Sequence, residues 1–178
     1  MTDDRSLAQL LNNAKFGAYQ ISVMAICFGI AALDGFDTQS IAFVAPALLH
    51  TWGVSPASFG PLFGIGLFGT LIGSVVLGSL ADRYGRKPLI LISTATFGVM
   101  SLACATADSI EILGFYRFVA GLGLGGAIPN LVAMISEYAP ARVRATAIVA
   151  TFCGFPLGAV VGGIVSSRMI PALGWESV

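Results

Sequence analysis

The sequence predicts an all-α membrane protein, a bundle of five complete transmembrane helices followed by the start of a sixth. The chain of 178 residues is 56% hydrophobic and only 10% charged, whereas soluble domains carry about 25% charged residues. Its mean hydropathy is +0.88. Apolar stretches of about 20 residues, long enough to cross the hydrocarbon core of a bilayer, recur along the whole chain. Acidic and basic residues are equal in number, so no net charge attracts nucleic acid, and no nucleic-acid partner is predicted.

The five predicted spans cover residues 17–48, 59–80, 88–107, 110–135 and 145–167. Short connections predict that successive helices are antiparallel neighbours. Pro88 suits the first turn of a helix, whereas Pro129 and Pro156 lie within spans and predict kinks. Residues 1–16 are predicted to be a cytoplasmic N-terminal tail. Because these residues are largely polar, the first apolar stretch is interpreted as a retained helix rather than a signal peptide.

The distribution of basic residues predicts the orientation. Arg168 lies on one side of the predicted bundle, and the opposite side carries the N-terminal tail and the connections after the second and fourth spans. The basic residues on that opposite side are Arg5, Lys15, Arg83, Arg86, Lys87, Arg142 and Arg144. Cytoplasmic loops of membrane proteins carry an excess of Lys and Arg, so the N-terminus is predicted to be cytoplasmic.

Two carboxylates, Asp34 and Asp37, interrupt the first span, which has no other charged residue between Phe16 and Leu49. An Asp at the centre of a membrane helix costs about 2.5–3.5 kcal/mol on insertion scales. Residues three apart share one helix face, which must therefore contact protein or a water-filled cavity. Intramembrane acids of this kind indicate an ion, proton or substrate pathway. Arg117, inside the fourth span, needs carboxylates or water, and the two acids are its obvious partners.

Small residues four apart predict close helix packing. The pairs and triplets are Gly60 and Gly64; Gly69 and Gly73; Gly121 and Gly125; and Gly154, Gly158 and Gly162. The fourth span also contains Gly-x-Gly-x-x-Gly, a pattern found in dinucleotide-binding folds. That fingerprint requires a preceding strand within a βαβ unit, so nucleotide binding is rejected here.

Neither a cofactor nor a metal is predicted, and the chain is not expected to be an enzyme. Cys27, Cys104 and Cys153 lie far apart within apolar runs and are interpreted as free buried thiols. His50 is the single histidine and is interpreted as an interfacial side chain. No Ser/His/Asp set or nucleotide site supports catalysis.

The connection after the second span reads Gly78-Ser-Leu-Ala-Asp82-Arg83-Tyr-Gly85-Arg86-Lys87. A simple cytoplasmic turn accounts for the backbone bend and for the basic residues. It does not account for Asp82, or for Gly78, a glycine at a position where two helices are expected to approach each other. The segment resembles the signature of the major facilitator superfamily between its second and third helices. The run from Arg117 to Gly126 resembles the superfamily's fourth-helix motif. The resemblance implies the N-terminal half of a twelve-helix facilitator, residues 17–178, built from three-helix repeats with inverted topology.

Asp34-Gly-Phe-Asp37, a downstream Pro-Ala-Leu at 46–48, and Arg117 together with Glu137 resemble the aromatic acid:proton symporter family. The likeness covers almost the whole chain. It implies functional roles for Asp34, Asp37, Asp82, Arg117 and Glu137. On residue chemistry alone, Glu137 is a solvated charge at a cytoplasmic helix end.

The function that the resemblance implies is proton-coupled uptake of an aromatic carboxylate, such as benzoate or a hydroxybenzoate, across the bacterial inner membrane. The implied partners are the substrate, the proton, the lipid bilayer and the missing C-terminal half of the transporter; the fragment is expected to be inactive alone. We expect protonation of the Asp pair to release Arg117 for the substrate carboxylate. We also expect Asp82 to act in conformational switching, within a switch segment that comprises Gly78, Asp82, Arg83, Gly85, Arg86 and Lys87. Alternatively, Arg117 only neutralises the acids. Another organic-anion or drug:proton carrier and a non-transporting membrane sensor are the alternative functions.

Overall fold

The computed structural model describes residues 17–178, and the regular structure within that range is entirely helical. Its α-helices are α1 (Ala18–Trp52), α2 (Phe59–Tyr84), α3 (Arg86–Cys104), α4 (Ile110–Tyr138), α5 (Ala141–Phe152) and α6 (Gly154–Leu173). Short 3-10 turns, Pro56–Ser58 and Trp175–Ser177, precede α2 and follow α6. The predicted N-terminal tail, residues 1–16, lies outside the described residues.

Five segments of the described chain are long and apolar enough to cross a membrane, which confirms the predicted number of spans. They are Ala18–Trp52, Pro56–Tyr84, Arg86–Cys104, Ile110–Tyr138 and Ala141–Leu173. Several helices continue past the predicted ends because they stop at a backbone signal rather than at the last apolar residue. Gly53, Gly85 and Gly174, all with positive φ, follow α1, α2 and α6.

The fifth span is divided at Cys153 into α5 and α6. Pro156 lies three residues further on. A proline cannot donate to the carbonyl four residues before it, and its ring crowds that carbonyl. That carbonyl belongs to Phe152, the last residue of α5. The other predicted kink site, Pro129, lies inside α4, and the helix continues through it.

Gly85 is the single residue between α2 and α3. Its φ of 91° is a conformation that L side chains rarely adopt. Its amide donates to the carbonyl of Ala81 at 2.9 Å, which completes the last turn of α2. The predicted bend at this glycine is confirmed, and it starts α3 with Pro88 in its first turn.

Glycine faces bring α2 and α4 together. A Cβ added to Gly69 or Gly73 of α2 would meet the α4 backbone, and one added to Gly121 or Gly125 of α4 would meet the α2 backbone. Glycines permit this approach because no side chain separates the two backbones. The predicted packing at these four positions is therefore confirmed.

A second glycine crossing joins α1 to α6. Gly154 and Gly158 of α6 lie against the α1 backbone, and Gly35 of α1 lies against the α6 backbone. Gly162 instead makes room for the ring of Phe36. All three predicted positions in α6 thus pack closely on α1.

Gly60 and Gly64 do not pack as predicted. A Cβ added to either would meet nothing within 4 Å among the described residues. Both lie two residues from Leu62, which is buried, so they point away from the α2 face that carries Leu62, Gly69 and Gly73.

If spans one to three and spans four to six are repeats, span one corresponds to span four, and span five to span two. The α1–α6 crossing, between spans one and five, is then equivalent to the α4–α2 crossing, between spans four and two. Each crossing presents glycines four residues apart, Gly69 and Gly73 or Gly154 and Gly158, to carbonyls of the partner helix. This is the arrangement expected of inverted repeats. It also means that the closest packing joins non-successive helices. Among successive helices, α3 and α4 pack extensively, as predicted for neighbours, whereas α2 and α3 make few contacts.

Aromatic contacts define the two ends of the bundle. Tyr19, at the start of α1, lies 5.7 Å from Tyr138, at the end of α4, between ring centroids. We call this the basic end, since the described bases there are Arg83, Arg86, Lys87, Arg142 and Arg144. At the opposite end, the tryptophan end, Trp52 and Trp175 meet edge to face with centroids 5.2 Å apart.

Candidate functional site

A buried ion pair joins α1 to α4. The Arg117 Nη1 lies 2.5 Å from Asp37 Oδ2, and the two residues are 8% and 7% exposed. Two charges removed from water are tolerated only when they are paired and further hydrogen-bonded. The structure thus brings together two of the three residues that the sequence assigns to the predicted pathway.

Two serines complete the shell around this ion pair. Arg117 Nη2 donates to the backbone carbonyl of Asp37 at 3.0 Å and to Ser40 Oγ at 2.5 Å. Ser101 Oγ, from α3, donates to Asp37 Oδ1 at 2.7 Å. Both carboxylate oxygens of Asp37 are therefore bound, one by α3 and the other by α4.

The sequence interpretation missed both serines. Ser40 follows Asp37 by three residues and so shares its helix face, a signal that identifies it in retrospect. Ser101 carried no such signal. A serine inside a membrane helix can as readily satisfy its hydroxyl on a carbonyl of its own helix, as Ser79 does on Val76 at 2.9 Å.

Asp34 is also buried, at 8% exposed, but its contact is local. Thr38 Oγ1, one turn along α1, donates to Asp34 Oδ1 at 3.2 Å. Within residues 17–178, no ion pair or hydrogen bond joins Asp34 to Arg117. The two acids predicted to act as a pair thus have different environments, since a three-residue step rotates the side chain and moves it along the helix axis.

Two cavities meet at the ion pair, and Asp37, Ile41 and Arg117 line both. The first, of about 30 Å³, is also lined by Ser40, Val44, Ser101, Cys104 and Trp175. The second, of about 170 Å³, is also lined by Thr38, Gln39, Leu62, Phe63, Leu67 and Thr70. We call them the tryptophan cavity and the α2 cavity. The ion pair forms a wall common to the two.

Glu137 at the end of α4 forms an ion pair with Arg86 at the start of α3, with Nε and Oε1 2.7 Å apart. Their side chains are 54% and 34% exposed. Glu137 is therefore partly solvated, as its chemistry alone predicts, but it also links two helices at the basic end. Sequence spacing gave no sign of this partner.

The other charged residues of the predicted switch segment are exposed. Asp82, Arg83 and Lys87 face solvent at the basic end, and the guanidinium of Arg83 lies 5.6 Å from the centroid of the Tyr84 ring. A helix was expected to approach Gly78, but in the described part of the chain nothing lies within 4 Å of an added Cβ. This expectation is not met, because Gly78 lies off the α2 face that contacts α4.

The glycines of the dinucleotide-like pattern lie in the middle of α4. Gly121 packs on α2, whereas Gly123 and Gly126 pack on α3 and on the side chains of Ser93 and Leu77. These glycines lie at contacts between helices, and within residues 17–178 no strand precedes them.

Apolar helices packed through glycines around a buried ion pair define a multi-pass membrane protein. A sequence model of the Major Facilitator Superfamily matches residues 27–178, and the chain therefore belongs to this superfamily of membrane transporters, which are not enzymes.

Individual relatives support the assignment. The chain is 43% identical over 169 residues to the 4-hydroxybenzoate transporter PcaK of Acinetobacter baylyi, covering 95% of this chain and 37% of that protein. It is 41% identical over 168 residues to a gallate transporter of Pseudomonas putida, covering 94% and 37%. The chain thus spans well under half the length of these relatives.

Among solved structures, the chain is similar to a bacterial homolog of the human lysosomal transporter Spinster, in an inward-facing and occupied conformation. The TM-score is 0.84 at 25% identity, over 92% of this chain and 35% of that one.

Proposed function

We propose that this chain forms the N-terminal half of a transporter that takes up an aromatic carboxylate, such as benzoate or a hydroxybenzoate, together with a proton. Residues 1–16 would be a cytoplasmic tail, and residues 17–178 would belong to a six-helix bundle in the bacterial inner membrane. The C-terminal half would provide the other wall of the binding site. The substrate class is supported by the relatives, whose names specify 4-hydroxybenzoate and gallate.

The orientation is supported by the described bases. Five of them lie at the basic end, and Arg168 lies near the end of α6 on the opposite side. An excess of Lys and Arg marks the cytoplasmic face of membrane proteins. The basic end would therefore face the cytoplasm, and the tryptophan end would face the outside.

The observation that carries the proposal is the Asp37–Arg117 ion pair in the wall of the α2 cavity. When Asp37 takes up a proton it loses its charge, and Arg117 becomes a cation without a counterion. A substrate carboxylate then restores the pair, since the planar guanidinium binds carboxylates through two parallel hydrogen bonds. Proton binding and substrate binding are coupled because both depend on the same guanidinium.

The α2 cavity has walls suited to an aromatic ring. Leu62, Phe63 and Leu67 supply apolar surface, and Thr38 and Gln39 supply polar groups. Ligand sites commonly combine apolar walls with a few polar groups that fix orientation. The ring would lie against the α2 side chains while its carboxylate contacts Arg117.

A chimera tests this proposal. Residues 1–178 replace the matching segment of the Acinetobacter baylyi relative, and uptake of labelled 4-hydroxybenzoate is measured in energised cells. We expect accumulation that an uncoupler abolishes, and no uptake from residues 1–178 expressed alone, because alternating access requires both bundles. Gradient-independent equilibration, or uptake by residues 1–178 alone, would contradict the proposal.

Variants of Arg117 then test the site. In the chimera, Arg117→Gln should abolish both accumulation and counterflow, whereas Arg117→Lys should retain weak binding because it keeps the charge but lacks the planar fork. The equivalent changes in the unaltered relative provide a second test that does not depend on chimera folding. Full counterflow with Arg117→Gln in both proteins would show that the substrate binds elsewhere.

A further inference from the structure

The tryptophan cavity contains polar groups that the proposed substrate site does not use. Its walls include the carboxylate of Asp37, the hydroxyls of Ser40 and Ser101, and the indole of Trp175. At about 30 Å³ it is too small for an aromatic acid. A cavity that holds one water molecule requires at least about 10–15 Å³ and two to four polar partners. Its size and lining therefore fit water.

Two residues of the cavity wall each carry a buried N–H donor that has no partner among the described residues. The donors are Nε1 of Trp175 and Nε of Arg117, and both residues are 8% exposed. A buried donor without an acceptor costs about 1–3 kcal/mol, so such groups usually bind protein or ordered water. Two such donors on residues that line one water-sized cavity favour ordered water as their acceptor.

The position of Trp175 places this site between the ion pair and one face of the bundle. Trp175 contacts Trp52 edge to face, at the tryptophan end. On the inner side of the cavity, Asp37 Oδ1 accepts from Ser101 and Oδ2 lies against Arg117. Water held under the indole is thus next to the carboxylate proposed to bind the proton.

We propose that the tryptophan cavity is a hydrated proton entrance to Asp37, separate from the substrate cavity, with Trp175 as the residue that positions its water. This inference rests on the proposed function. A proton arriving from the outer face passes through the ordered water to a carboxylate oxygen of Asp37, and the excess proton ends on Asp37 while the water remains neutral. The indole N–H orients the water and is not itself ionised.

Other ionisable groups near Asp37 do not provide an equivalent route. Arg117 faces it from α4, Cys104 lines the same cavity from α3, and Asp34 lies on its own helix. Glu176 follows Trp175 but is exposed. Asp37 is the carboxylate that lines both cavities, so a proton that enters on one side changes the charge balance on the other.

The hydration is tested on the purified chain, residues 1–178, in detergent. The chain has two tryptophans, so Trp52→Phe leaves Trp175 as the single indole. Ultraviolet resonance Raman spectra should show a hydrogen-bonded indole N–H. Val44→Ile in the same background adds a methylene to the cavity wall and should shift the band to its non-bonded position. The proposal would be overturned if the indole N–H is not hydrogen-bonded before the Val44→Ile substitution, or if it remains hydrogen-bonded after it.

The proton route is tested in the chimera by Trp175→Phe, which keeps an aromatic ring and removes the N–H. Accumulation driven by the proton gradient should fall about fivefold, an effect typical of losing one hydrogen bond. Counterflow, which needs substrate binding but no net proton uptake, should be unchanged. Trp52→Phe is the matched control and should change neither. Equal losses of accumulation and counterflow would indicate a packing role only and overturn the proposal.

These results also separate this inference from the proposed function. If the proposed substrate site is wrong, the Arg117→Gln variant retains counterflow, whatever the effect of Trp175→Phe on accumulation. If only the proton entrance is wrong, Arg117→Gln abolishes counterflow while Trp175→Phe leaves accumulation intact.

Discussion

A hydrogen bond of 2.7 Å joins Ser101 of α3 to the carboxylate of Asp37 in α1, across 64 residues of sequence. The same carboxylate pairs with Arg117 of α4 through its other oxygen. Three helices therefore meet at one ionisable group. If Asp37 binds the proton as proposed, the change in its charge would alter its contacts to α3 and α4 at once.

Replacing Ser101 should weaken this junction. Ser101→Ala removes a donor to a charged acceptor, a bond worth about 1.5–3 kcal/mol, and should lower gradient-driven accumulation in the chimera. Ser101→Thr keeps the hydroxyl and should restore most of it. Ser79→Ala is the control, since its hydroxyl bonds to its own helix. If Ser101→Ala transports like the parent, the hydrogen bond does not contribute to coupling.

The glycine crossings make a prediction about stability. A Cβ at Gly125 would meet the carbonyl oxygen of Thr70 and the amide of Ser74, so Gly125→Ala should lower the free energy of unfolding by about 1–3 kcal/mol, the usual cost of overpacking. Gly98, in α3, has open space around an added Cβ. Gly98→Ala should therefore raise stability slightly, because alanine favours helix. Denaturation in mixed micelles measures the free energy of unfolding of both variants. If the two substitutions change it in the same direction, the assigned α2–α4 crossing is contradicted.

Some features of this structure follow from the sequence alone, whereas others depend on how the helices pack against one another. The five spans follow from apolar length, and the meeting of Arg117 with Asp37 follows from the need of any intramembrane cation for a counterion. Ser101 and Glu137 were not anticipated as partners of Asp37 and Arg86, because a hydroxyl or an end charge can be satisfied locally or by water. Gly60 and Gly64 have the same spacing as Gly69 and Gly73, and only the helix phase relative to α4 separates them.

The Arg86–Glu137 ion pair should contribute little to stability. Its side chains are 34% and 54% exposed, and exposed pairs are typically worth about 0–1 kcal/mol. A double-mutant cycle with Arg86→Gln and Glu137→Gln should give a coupling energy within that range, and one that decreases with added salt. A coupling well above it would mean that the pair is desolvated in the assembled protein.

Asp82 should affect the rate of transport rather than the affinity for substrate. It is exposed at the basic end, far from both cavities. In the chimera, Asp82→Asn should reduce the uptake rate and leave substrate binding within a few-fold. Asp108→Asn, an exposed carboxylate on the connection between α3 and α4, is the control and should transport normally. Loss of binding by a correctly inserted Asp82→Asn protein would contradict the assignment to conformational switching.

The buried Asp37–Arg117 ion pair makes the sharpest prediction. Asp37→Asn leaves Arg117 buried without a counterion, and breaking a buried pair from one side typically costs about 3–5 kcal/mol. The double variant Asp37→Asn/Arg117→Gln removes both charges and should regain most of that stability, although it should not accumulate substrate. Asp34→Asn, which affects only the local contact with Thr38, should be destabilised less than Asp37→Asn. Unfolding in mixed micelles ranks the variants, and uptake in the chimera tests coupling. If Asp37→Asn keeps parental stability and still accumulates substrate against a gradient, then the pair neither holds the bundle together nor couples the proton.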